Sequence, residues 1–228
     1  MVKNMADLMK IADEYALYLE GKGIVFNESG FPVLPKESFL DEWPEDVFPY
    51  DHRKSSLVGD PKKTLLCFYC GDSRIYPRLE RIFRNLPEYR KYLGVVAVDL
   101  TVTSDMDEEW QDFVMLIQQL FIAVLATNGV KVVANLRIGG EQSLRNLESL
   151  PKGIMWCTGF LGCAAEDDKD CRFLASVLKV WPGKLIIYGR SDKSALEKLR
   201  RFGITFRRYD DYHCRCKNAQ EALHEKHI

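Results

Sequence analysis

Short apolar runs alternate with helix-period segments along most of this chain. Six β-prone runs stand out: 64–70, 94–101, 131–138, 153–160, 184–188 and 204–208. Most end in glycine or polar residues and lead into a stretch whose apolar positions recur three and four apart. Helices are predicted from Pro77 to about Leu86, from a cap at Ser104 or Asp105 to Gly129, over 143–150, over about 170–180, and from a Ser191 cap to Phe202. In the long second of these, Trp110, Phe113, Val114, Ile117, Phe121 and Val124 make a buried stripe, and Asp107, Glu108 and Glu109 suit the positive helix start. Ahead of the runs, Asn4 to Glu20 reads as an amphipathic helix stopped by Gly21 and Gly23. Short strands are expected at 24–26 and 31–34. From Pro35 to Lys62, prolines, acids and isolated aromatics (Phe39, Trp43, Phe48, Tyr50) predict an irregular strap whose rings peg it to the core. The tail from Asp210 is polar, with a short helix expected over 219–224.

Strands alternating with helices imply parallel pairing through right-handed crossovers. Near-continuous apolar strands imply cover on both faces. The expected fold is a single α/β domain with a mainly parallel sheet. Residues 1–62 would wrap it, 63–210 form the core and 211–228 form a polar tail. An irregular (β/α) barrel is preferred to a doubly wound open sheet, because polar residues follow every strand rather than one switch point.

Composition adds limits. The 228 residues, 46% hydrophobic and 29% charged, suit one domain with a full core. Net charge is −1 but uneven: residues 179–228 carry 12 Lys/Arg against 6 Asp/Glu (+6), and residues 1–63 carry 8 against 12 (−4). A basic C-terminal third can attract an anionic partner. The apolar stretch 113–126 contains Gln118 and Gln119 and is too short for a membrane span, and the start lacks a signal-peptide pattern, so no membrane contact is expected. Seven cysteines without an export signal read as reduced thiols of a cytoplasmic protein.

The ordered motifs FYCGDSR, VAVDLT, VVANLRIGG, CTGFLGC and IIYG resemble the bacterial and phage family called domain of unknown function 4417. The resemblance covers about residues 64–208. It aligns Asp72 with the second acid of that family's first-strand pair, Asp99 with its strand-two Asp, Asn135 with its strand-three Asn, Gly162–Cys163 with its Gly-Cys and Tyr188–Gly189 with its Tyr-Gly. Gly71 replaces the first acid, and Ile138 stands where an aromatic is common. The resemblance implies a bacterial or mobile-element origin and carries no established reaction; loss of the first acid puts any activity resting on that pair in doubt.

Candidate chemistry gathers at the strand ends. Asp72 and Asp99 would follow neighbouring strands, where two carboxylates can hold a divalent metal or divide acid and base roles; otherwise Asp72 caps a helix and Asp99 orders a loop. Asn135 and Arg137 end the next strand, and Arg137 is the natural counter-charge for an acid inside an apolar strand. Gly189–Arg190–Ser191 opens a helix and could cradle phosphate, with Arg74 and Arg137 adding bidentate contacts; the plainer reading is a βα turn capped by Ser191. No Walker loop or dinucleotide fingerprint is present. Cys163 beside Gly162 is a candidate nucleophile, and His213, Cys214 and Cys216 could contribute to a zinc site, although the cysteine spacing fits no standard zinc motif. His52 is a candidate substrate contact or a plain exposed loop residue. Arg78, Arg81 and Arg84 form a basic stripe that could meet single-stranded nucleic acid or simply face solvent. Three functions stay open: an enzyme on a nucleotide or nucleic acid, a non-catalytic binder of nucleic acid or a host protein, and a scaffold module.

Overall fold

The computed structural model describes residues 2–159 and 169–225. Seven strands, β1 (Asp46–Pro49), β2 (Thr64–Cys67), β3 (Gly94–Val96), β4 (Val132–Asn135), β5 (Met155–Gly159), β6 (Lys184–Tyr188) and β7 (Phe206–Tyr209), pair in chain order, and every pairing is parallel. The sheet curls until it is nearly closed into a barrel. The intervening helices are α1 (Met5–Gly21), α2 (Asp72–Glu80), α3 (Ile82–Tyr89), α4 (Glu108–Thr127), α5 (Lys169–Val180), α6 (Lys193–Arg201) and α7 (Tyr212–Glu225), with a 3₁₀ segment at Glu141–Ser149.

Period-two alternation builds two separate cores. Leu65, Cys67, Tyr69, Val96, Val133, Met155, Cys157, Ile186 and Tyr188 point into the barrel, while Leu66, Phe68, Val95, Val132, Trp156, Leu185 and Ile187 point out against the helices. Helix α4 has the length and hydropathy of a membrane span, yet most of it is buried in this outer layer.

The strap is more ordered than its composition predicts, since Asp46–Pro49 inside it is the first strand. Before β1, the strap crosses the amino ends of the later strands. The Leu40 amide donates to the Val132 carbonyl at 2.9 Å, Lys184 pairs with Asp41, and the Leu40 side chain plugs the interior. Phe39, Phe48 and Tyr50 are buried as pegs, and Tyr50 lies between the guanidinium groups of Arg53 (4.0 Å) and Arg78 (4.7 Å).

β1 and β7 do not pair, and side chains bridge the gap between them. The Tyr209 hydroxyl donates to the Pro44 carbonyl at 2.7 Å, Arg207 stacks on Trp43, and Arg215 of α7 pairs with Asp46 and lies over Phe48. Tyr212 packs on Phe48 and stacks on His52 at 3.7 Å, so α7 is longer than the short helix predicted and covers β1. His52 is thereby half-buried under a ring rather than a free loop side chain.

Other boundaries shift for local reasons. Pro77 lies inside α2 instead of opening it, because the helix already begins at Asp72. Asp192, not Ser191, caps α6 by accepting from the Ser194 amide at 3.1 Å. Helix α4 starts after Asp107 rather than after Ser104 or Asp105. β2, β3 and β4 end three to five residues early because their last residues leave the ladder to form the mouth.

Candidate functional site at the barrel mouth

The strap occupies the amino end of the barrel, and the βα-loops frame the carboxyl end. Four side chains from three successive strand ends are joined there. Tyr69, beyond β2, donates from its hydroxyl to Asn135 Oδ1 at 3.1 Å. Asn135, closing β4, donates from Nδ2 to Asp99 Oδ1 at 2.8 Å. Arg137 meets Asp99 Oδ2 through one guanidinium nitrogen at a loose 3.4 Å. These partners fix the Asn135 amide orientation, since its oxygen faces a donor and its nitrogen a carboxylate.

Asp99 is the unusual member. Its side chain is only 10% exposed, against 26% for Arg137. Burial pushes its carboxyl above the usual carboxylate range, opposed by the Arg137 charge and the Asn135 hydrogen bond and reinforced by the nearby Asp72 charge. Arg137 spends one contact on Asp99 and has no second ion pair among the described residues, so most of its donor fork is open.

Asp72 stands at the same rim. Its Oδ1 accepts from both the amide and the hydroxyl of Thr101 at 3.0 Å each, tying the start of α2 to the loop after β3. The pair therefore divides, with one buried carboxyl of raised proton affinity and one loop-anchoring carboxylate. Among the described residues no three His, Cys, Asp or Glu side chains converge on a metal position, so a divalent ion on Asp72 and Asp99 would need water or substrate oxygens as further ligands.

The remaining candidates fall around this network. Arg74, 63% exposed, leans on Asp51 at 3.6 Å, and Arg78 holds the same carboxylate at 3.1 Å. Tyr188 stacks on Tyr69 with ring centroids 5.5 Å apart, and its hydroxyl accepts from the Tyr212 amide at 3.0 Å. Gly189 takes φ of 90°, a left-handed conformation that glycine adopts freely, and donates to the Tyr209 carbonyl. Arg190 is exposed, and Ser191 keeps a buried hydroxyl without a hydrogen-bond partner. No hydrogen bond or ion pair among the described residues joins Gly189, Arg190 or Ser191 to Asp99 or Arg137. Gly162 and Cys163, and the side chain of Cys171, lie outside the described residues. The five described cysteines are free thiols; Cys67 and Cys157 lie inside the barrel, and burial pushes Cys157 up to about 12, which leaves it protonated and inert.

Two mouth residues escaped the motif reading. Tyr69 was hidden in the apolar run TLLCFYC, although period-two alternation already places Leu65, Cys67 and Tyr69 on one face. Gly159 makes room for it, because a Cβ there would stand 2.8 Å from the Tyr69 ring.

A concavity of about 620 Å³ lies elsewhere, between α4, the 3₁₀ segment and the turn before Phe31. Its charges are spent internally, with Arg145 held by Glu108 at 2.7 Å and Asp112 at 2.6 Å. The mouth, with an open guanidinium fork beside a destabilised carboxylate, is the better candidate. No family model, curated protein or solved structure matches this chain.

Proposed function

We propose that the protein is an enzyme acting at the barrel mouth on a phosphate-containing substrate, a nucleotide or a nucleic-acid end. Asp99 is the acid–base group, Arg137 grips the phosphate, and Asn135 and Tyr69 hold the carboxyl in position. The observation carrying this reading is the buried Asp99 carboxyl beside Arg137 and Asn135, whose raised proton affinity suits it to take and return a proton. A phosphate drawing on the free nitrogens of Arg137 would compete with the loose 3.4 Å contact and leave Asp99 more basic at the moment of reaction. Arg74 and Arg190 supply further positive charge at the rim, and the motif resemblance adds a bacterial or mobile-element setting.

The alternative, nucleic-acid or host-protein binding through the basic C-terminal third, is less well supported. Lys179, Lys184 and Arg215 pair with Glu148, Asp41 and Asp46 from outside that third, which offsets half of its surplus of six.

Calorimetric titration with inorganic phosphate, adenosine monophosphate and a 5′-phosphorylated oligonucleotide tests the reading. Binding by the wild type is expected to weaken about tenfold or more in Arg137→Lys, which keeps the charge and loses the fork. Asp99→Asn should abolish turnover of whichever probe reacts while preserving binding. Equal affinity in wild type and Arg137→Lys, or salt-sensitive binding without turnover, would favour the binding-protein alternative.

A further inference from the structure

We infer that a small cavity between the barrel wall and α4 holds one structural water molecule, bound by Trp156, Gln118 and Gln119. The cavity is about 20 Å³ and is walled mainly by apolar side chains, including Ala97, Met115, Ala134 and Leu147. Two donors on side chains that line it have no partner: the indole Nε1 of Trp156 and the amide Nε2 of Gln118. Both residues are deeply buried, 1% and 5% exposed. A buried N–H without an acceptor is costly, so two on residues that line one cavity call for a shared acceptor.

Size and chemistry together select the acceptor. About 10–15 Å³ of such space admits one water, and 20 Å³ leaves no room for a larger ligand. Water accepts from two donors and must then place its own protons. Gln119, which lines the same cavity, gives its nitrogen to the Asn146 carbonyl at 2.9 Å and accepts the Ser149 hydroxyl at 2.8 Å. The second lone pair of its amide oxygen is the acceptor for one water proton. The position matters because Asn135, which holds Asp99 from inside the barrel, also borders this cavity from the wall. A water here braces the strand end that carries the mouth network.

The test is a crystal structure of the full chain at high resolution, repeated under xenon pressure and after a bromide soak, together with water cross-relaxation to the Trp156 indole proton in solution. The expected result is one density peak within hydrogen-bond distance of Trp156 Nε1 and Gln118 Nε2, no xenon or bromide at that position, and a negative cross-peak between water and the indole proton. That cross-peak is assigned by its disappearance in Trp156→Phe. Xenon in the cavity would show it to be dry, and bromide would show an anion site. Continuous contact between Trp156 Nε1 and the Gln118 amide, or an indole proton without a water cross-peak, would equally overturn the inference. The wild-type measurements stand even if the variant fails to fold.

Discussion

At Asp99 two electrostatic effects oppose one another, and burial is the larger. Burial raises its carboxyl affinity for a proton, while Arg137 and Asn135 favour the charged form. A carboxyl whose folded value is raised stabilises the fold fully below its unfolded value near 3.8, and that contribution is lost as pH rises through the folded value. Above the folded value the charged Asp99 is therefore a cost that a neutral amide avoids. Asp99→Asn is expected to melt at the same temperature as wild type or higher near pH 7, with any advantage shrinking toward pH 4. Thermal melts across that range check it, and a variant melting lower at pH 7 would mean that the contacts to Arg137 and Asn135 outweigh desolvation. The polar endings of the strands announced Asp99, Asn135 and Arg137, because acids and amides inside apolar runs need partners. Tyr69 gave no such signal: as an aromatic in an apolar strand it looks like any core residue until its hydroxyl is seen on Asn135.

Elements with strong periodicity were legible, and elements held by tertiary contacts were not. The long apolar stripe of α4 and the β-branched runs of β3, β4 and β6 announce themselves. β1 did not, since DVFP is four residues long, begins with an acid and ends in proline; it is a strand because β2 offers a parallel partner and both faces are covered. The start of helix α7 is not legible in the sequence because YHCRCK carries no apolar stripe, and rings rather than aliphatic contacts hold it. Tyr212→Ala removes the stack on His52 and the edge contact with Phe48, each ring pair worth about 0.5–1.5 kcal/mol beyond its buried area. Hydrogen exchange of the α7 amides is expected to speed up well before that of β2 to β6. Uniform acceleration across the sheet would mean instead that α7 and the barrel open as one unit.

At the scale of the molecule, the order of strands in space is their order in the chain, so almost every pairing forms between neighbours in sequence. Closure is the exception. The contacts joining Asp41 to Lys184, Pro44 to Tyr209 and Asp46 to Arg215 span 143, 165 and 169 residues. A chain growing from its amino end can lay down β1 to β6 one after another, but the outer face of β1 has no cover until α7 exists. The first strand to be made is thus the last to be shielded from water. Long-range contacts are costly to form before the rest of a fold is in place. Tyr209→Phe should therefore speed unfolding and leave the refolding rate nearly unchanged in stopped-flow measurements, with a φ-value near zero; a slowed refolding limb would put closure at the start. Until synthesis passes about residue 215, the nascent barrel carries Phe48 on an unprotected strand edge, and that interval is when a chaperone or a sticky neighbour would find it.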